Sequence, residues 1–222
     1  MVTVTLEQND LEELVKTKLP RDLNALNEIL SQIKCEATRA LSEESGVEEL
    51  SLENKDTNRP DLWSTEGVAR ALRGFLGLEA GPDNYIVAGK SGVSINVDSH
   101  LEEIRPYIGC SVVKGVHLSD AAIRGLMHLQ DKLDQSYGRK RAKSSIGLYE
   151  FDLIVPPLTY GAAQPDEVSF VPLGTDQRMT LREILVKHPK GIEYGHIVEP
   201  NRLWPILLDS RGNVLSFPPV IN

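Results

Sequence analysis

The sequence predicts an α+β protein of two domains, a small N-terminal α/β domain over residues 1–85 and a larger mixed α+β domain over 86–222. Three observations carry this reading. Apolar residues recur at helical intervals in some stretches and alternate as in strands in others, with no regular βαβ rhythm. Residues 78–91, "LEAGPDNYIVAGKS", combine glycines and a proline and lose periodicity, which marks a boundary near 85. A chain of 222 residues is long enough for two modest domains, since domains centre on about 100–150 residues.

Taken in order, Leu11, Leu14 and Val15 begin a short amphipathic helix, with Asn9 or Asp10 placed to cap it and Pro20 to break it. Leu23, Leu26, Ile29, Leu30 and Ile33 repeat at three- and four-residue spacing, a second helix that continues around Cys35. "SEESG", 42–46, ends that pattern, and "VEELSLE", 47–53, alternates as a half-exposed strand. Pro60 biases Arg59 towards an extended conformation. Asp61 or Ser64 then caps a helix whose inner stripe is Leu62, Thr65, Ala69, Leu72 and Leu76, with Gly77 as its left-handed terminator.

In the second domain Val93, Ile95 and Val97 alternate as a strand, and "CSVVKGVHL", 110–118, reads as another. A helix from Ser119 buries Ala122, Leu126, Leu129, Leu133 and Tyr137 and stops at Gly138. "SIGLYEFDLIV", 145–155, is apolar enough for a buried strand, whereas "VPPLTYGAAQPDE", 155–167, reads as loop. Thr180 and Glu183 form a capping box for a short helix closed by Pro189. "LWPILLDSRGNVLSF", 203–217, reads as a hairpin turning at Asp209 to Gly212.

The charge of −8 excludes a protein that coats nucleic acid by bulk charge, so any RNA contact must be local. With 5% aromatic residues the core must be mostly aliphatic. Cys35 and Cys110 give no disulfide framework, which fits a reducing compartment. No basic leader precedes an apolar core, and no apolar run approaches the ~18 residues of a membrane span. The expected location is the cytoplasm. His100, His117, His128, His188 and His196 form no metal-ligand spacing, and neither a Walker loop nor G-x-G-x-x-G is present.

Two constellations remain. "GRKRAK", 138–143, offers Arg139, Lys140 and Arg141 either as a solvated helix end or as phosphate contacts. In "KDTNRPD", 55–61, the carboxylates could serve acid–base chemistry. More simply, Asp56, Asn58, Arg59 and Asp61 form a structural clamp, an arginine fork paired with its flanking carboxylates.

"KDTNRPDLWSTEGVAR", 55–70, resembles the segment that closes the N-terminal domain of the phenylalanyl-tRNA synthetase beta subunit. "IRPYIGCSVVKGV", "SIGLYEFDLI", "MTLREILVKHPKGIEYGHI" and "PILLDSRGNVLSFPPVIN" resemble, in order, successive segments of its archaeal and eukaryotic form. The run from Cys35 to the N-R-P-D element leaves no room for the oligonucleotide-binding insertion of most bacterial members.

The resemblance implies a heterotetramer of two alpha and two beta subunits that charges the phenylalanine tRNA using ATP and magnesium. The synthetic site and these cofactors would lie on the alpha subunit, with none held by this stretch. The second domain resembles most of an editing domain that hydrolyses tyrosine wrongly esterified to that tRNA. The alternative is a non-catalytic module for subunit assembly and tRNA positioning. By the same resemblance Leu207 and Ser216 line the editing pocket, with Pro218, Pro219, Asn222 and Tyr149 beside them. Tyr149 stands where eukaryotic and bacterial members carry a histidine, so histidine-dependent activation of water does not transfer. Family members continue past "PPVIN" with residues that complete the pocket. The expectation is therefore a cut segment without hydrolytic activity of its own.

Overall fold

The computed structural model describes residues 2–41, 48–81 and 85–222. The "SEESG" stretch expected to end the second helix lies outside them, as does part of the boundary segment. Two compact units emerge: Met1–Ile86 with Leu118–Leu133, and Val87–His117 with Asp134–Asn222.

In the first unit, β1 (Val2–Leu6) and β2 (Cys35–Leu41) flank a central β3 (Glu48–Asn54), both antiparallel to it. Period-two burial explains the sheet: Val4 and Leu6, Cys35 and Ala37, Leu50 and Leu52 all turn to one side. On that side lie α1 (Gln8–Val15) and α2 (Leu23–Ser31), burying Leu11, Val15, Leu26 and Leu30 in one aliphatic cluster. Asp22 caps α2 by accepting from the Ala25 amide at 2.9 Å.

Two expectations are corrected here. Neither Asn9 nor Asp10 caps α1, since Glu7 occupies that place without a side-chain bond. Cys35 is not helical: α2 ends at Ser31, Lys34 adopts a left-handed φ of 59°, and Cys35 opens β2. The apolar spacing of Ile33 and Cys35 fits both periods, and pairing with β3 decides between them.

A 3-10 turn (Pro60–Leu62) leads into α3 (Thr65–Phe75), capped by Ser64, whose hydroxyl accepts from the Gly67 amide at 3.1 Å. Leu62, Val68, Ala69 and Leu72 are buried, and Gly77 ends the helix at a left-handed φ of 69°.

The second unit is built on a four-stranded sheet in the order β4 (Ile95–Val97), β5 (Leu158–Ala163), β8 (Trp204–Leu208), β9 (Val214–Ser216). β4 runs parallel to β5, and the other pairs are antiparallel. Between β5 and β8 the chain forms the short pair β6 (Ser169–Phe170) and β7 (Met179–Thr180), then α5 (Leu181–Lys187) and α6 (Pro189–Tyr194). The Thr180–Glu183 capping box is complete in both directions. Pro189 opens α6 as well as ending α5, as its fixed φ allows at a first helical position. The hairpin turns at Asp209, whose buried carboxylate accepts from the Arg211 and Asn213 amides at 2.9 and 2.8 Å.

Elsewhere in this unit the expectations fail in instructive ways. The "loop" at 155–167 contains β5, an inner strand of the sheet. The apolar stretches 110–118 and 145–155 form no strand among the described residues, and Val113 is 69% exposed. Between them, α4 (Asp120–Gln135) half-buries Ala122, Leu126, Leu129 and Leu133 but leaves Tyr137 outside and exposed. Residues 118–133 also pack with the first unit, not the second: the Lys132 ammonium donates to the Trp63 carbonyl at 3.3 Å.

Candidate functional site

The N-R-P-D turn is assembled from β3 outwards. Asn54 is buried at the end of the strand, accepts from the Asp56 amide at 2.9 Å and donates to the Arg59 carbonyl at 3.4 Å. Arg59 forks onto Asp61, with contacts of 2.7 and 2.9 Å to its two oxygens. That hydrogen bond holds the Asp61 carboxyl below its ordinary range, so it stays ionised at neutral pH and is a poor proton donor. The Asp56 carboxylate acts on Arg59 through its field, the Asp56 carbonyl accepts from the Arg59 amide at 3.4 Å, and Asn58 is exposed.

Gly67 is required where α3 meets this turn, because a Cβ there would sit 1.8 Å from the Asp61 carbonyl oxygen. A cleft of about 410 Å³ beside it is lined by Asp61, Ser64, Arg70, Arg73 and Tyr85, among others. Its charges answer one another: Arg70 donates to the Tyr85 hydroxyl, and Arg73 pairs with Glu79 and the Leu14 carbonyl.

The second cluster lies on the sheet of the other unit. Tyr160, Leu207 and Ser216 occupy one rung across β5, β8 and β9, so their side chains share a face. Leu207 is 5% and Ser216 3% exposed. No hydrogen bond of good distance and angle reaches the Ser216 hydroxyl among the described residues. Tyr149 stands next to it and donates to Asn222 Oδ1 at 3.2 Å. Burial raises the Tyr149 phenol, and the Ser216 hydroxyl pulls it part of the way back. Tyr160 is pushed up to about 12 by burial, with Arg105 opposing. Both phenols therefore stay protonated at neutral pH and can act as donors.

Pro219 is buried and Pro218 half-buried on the segment joining Ser216 to Asn222. That segment folds on itself, the Ile221 amide donating to the Phe217 carbonyl at 3.1 Å. Leu207, Ser216, Tyr149, Pro218, Pro219 and Asn222 thus come from three chain segments. The direct contacts join Tyr149 to Ser216 and to Asn222.

The basic run does not behave as three equivalent cations. Arg139 and Lys140 are exposed, whereas the Arg141 side chain is 12% exposed and turned inward. Its Nε lies 3.1 Å from Asp134 Oδ2, and its Nη1 donates to both the Pro219 and Val220 carbonyls. The expected RNA contact at Arg141 is corrected accordingly. Sequence reasoning also missed Asn54 and Asp134, since a single polar residue at a strand or helix end carries no periodic signal.

No protein-family model matches the chain. The phenylalanine–tRNA ligase beta subunit of Pyrococcus horikoshii is 43% identical over 217 residues, 98% of this chain and 38% of that relative. Those of Pyrococcus furiosus and Methanococcoides burtonii are 46% and 41% identical, over 97% and 100% of this chain. A crystal structure of an N-terminal fragment of the Pyrococcus horikoshii phenylalanyl-tRNA synthetase beta subunit superposes with a TM-score of 0.91 and 42% identity. The match covers 99% of this chain and 62% of that one.

Over nearly its whole length the chain is similar to phenylalanine–tRNA ligase beta subunits. It corresponds to the N-terminal part of that subunit and spans 38% of the Pyrococcus horikoshii relative's length. The N-R-P-D turn lies in the first unit, and the cluster around the Ser216 hydroxyl lies in the second. No described helix is long and apolar enough to cross a membrane.

Proposed function

We propose that the β8–β9 cluster is part of an editing pocket, which would hydrolyse tyrosine misjoined to the phenylalanine tRNA by the whole synthetase. In that reading the chain works within an alpha–beta assembly whose alpha subunit charges the tRNA with ATP and magnesium. The observation that carries it is the Ser216 hydroxyl: buried, without a well-formed partner among the described residues, and flanked by an aliphatic wall and a phenol–amide pair.

The physical need is specific. A hydrophobic pocket shaped for phenylalanine rejects the same ring plus a hydroxyl only by about 10². A pocket with buried polar groups that bind the hydroxyl can discriminate by about 10⁴–10⁵, because phenylalanine leaves those groups unpaired. Ser216 can both donate and accept, and Leu207 supplies the wall for the ring. Tyr149 and Asn222 are the less buried members, so the ester would approach past them. The cluster supplies donors for a developing oxyanion, and water activation falls to groups outside it.

The test uses a full-length alpha–beta complex carrying Ser216→Ala, which removes the hydroxyl and adds no bulk at this buried position. Hydrolysis of tyrosyl-tRNA should fall by about tenfold, the rate equivalent of one net hydrogen bond, with phenylalanine charging intact. Normal hydrolysis with lost subunit assembly would instead support the structural-module reading.

Arg139 and Lys140 are proposed as phosphate contacts at the edge of the same unit. Replacing either with alanine should flatten the salt dependence of tRNA binding by about one unit of slope; an unchanged slope assigns them to solvent.

A further inference from the structure

We infer that the Asp134–Arg141 ion pair positions the two halves of the Tyr149–Asn222 contact, one partner holding the strand of chain that bears each. The inference rests on the hydrolytic reading of the cluster. Asp134, 1% exposed, accepts from the Ile146 amide at 3.1 Å through Oδ1, three residues before Tyr149. Arg141 donates to the Pro219 and Val220 carbonyls at 3.3 and 3.1 Å, two residues before Asn222. The 3.1 Å contact between Arg141 Nε and Asp134 Oδ2 ties these two anchors to each other. Tyr149 and Asn222 lie 73 positions apart in the chain, and a single ion pair sets the distance between their anchors.

The local backbone is shaped to deliver that pair. Arg139, Lys140 and Arg141 occupy left-handed φ values of 49°, 54° and 66°, a run that non-glycine residues adopt at a cost. Backbone bonds from the Arg139 and Arg141 amides to the Ser136 and Asp134 carbonyls close the turn. Gly138 permits it, since a Cβ there would lie 2.5 Å from the Asp134 and Ser144 carbonyl oxygens. Such strain persists where the surroundings over-determine it, and here they do. The Arg141 guanidinium stacks 4.3 Å above the Tyr194 ring, and Gln135 donates to the Tyr194 hydroxyl at 2.9 Å. A lysine would keep the charge but could not reach a carboxylate and two carbonyls at once from a planar fork.

Arg141→Lys and Asp134→Asn are compared with wild type and Ser216→Ala in the full-length alpha–beta complex. The readouts are tyrosyl-tRNA hydrolysis, phenylalanine charging and hydrogen exchange of peptides 146–150 and 217–222. Arg141→Lys should lower the kcat of hydrolysis by about 10²-fold, the scale of an ångström-sized misplacement, with KM and charging little changed. Exchange should quicken in both peptides together. Wild-type kcat in Arg141→Lys, or faster exchange without loss of kcat, overturns the inference. If both variants fail to assemble, the pair is a folding determinant and the inference falls. If Ser216→Ala hydrolyses like wild type while Arg141→Lys does not, the fault lies in the Ser216 reading and not in the positioning pair.

Discussion

Glu12 shows how one buried charge can organise a loop. Its carboxylate is enclosed by Lys18 at 2.8 Å, Arg21 at 3.4 Å, the Leu19 amide and the Gln8 side chain. The Lys18 bond, more than any other contact, holds the Glu12 carboxyl below its ordinary value against the opposing effect of burial. A depressed folded value means the stabilisation is fully present above the unfolded glutamate value of about 4.3 and is lost as pH falls through the folded one. The first unit should therefore lose stability below about pH 4, and Glu12→Gln should flatten that loss while lowering the midpoint at neutral pH. Denaturant titrations at both pH values check it; parallel pH curves for the two proteins would assign the acid sensitivity elsewhere. Nothing in the spacing of the sequence flags Glu12, because it lies one residue from the buried Leu11 and reads as an exposed helix position. Only the fold of 16–21 back over α1 makes it interior. Asp134 was hidden for the same reason: its partners, the Ile146 amide and the Arg141 side chain, are brought to it only by the folded chain.

At the scale of elements, the legible parts were those fixed by short-range chemistry. The T-x-x-E box, the Asp209–Gly212 turn and the Gly77 terminator each depend on residues within a few positions. The strand "LTYGAA" was illegible because its glycine and preceding prolines signal a loop, while its pairing with β4 and β8 comes from residues 41 or more positions away. Conversely, "CSVVKGVHL" has strand composition and no ladder partner among the described residues. β-propensity describes fitness for a pleated surface and not the presence of a neighbour. In the N-R-P-D turn the Arg59–Asp61 pairing was readable, yet that pair is exposed. Arg59→Ala should cost under about 1 kcal/mol, as exposed pairs do. Gly67→Ala should cost more than about 3 kcal/mol, because backbone atoms must separate to admit the methyl. Thermal midpoints that fall in the reverse order would return the turn's stability to the ion pair.

Across the whole molecule, one apolar cluster in the first unit and two in the second imply two cooperative units, though not two contiguous stretches of chain. Val4 to Leu72 supply one cluster, and Phe170 to Ile221 the larger of those in the second unit. The chain leaves the first unit near Ile86 and returns at Leu118, so a boundary near 85 alone cannot divide it. We propose that the units unfold separately, and each carries its own reporter. Trp63 is buried beside the N-R-P-D turn, and Trp204 stacks on Phe217 with ring centroids 5.7 Å apart. Trp204→Phe leaves Trp63 to report the first unit, and Trp63→Phe leaves Trp204 to report the second. Adding Gly67→Ala to each should move the Trp63 transition to lower denaturant and leave the Trp204 transition in place, with slopes unchanged. Both transitions moving together would make the chain one cooperative body, and a substitution at the N-R-P-D turn would then be expected to reach the Ser216 cluster through global stability.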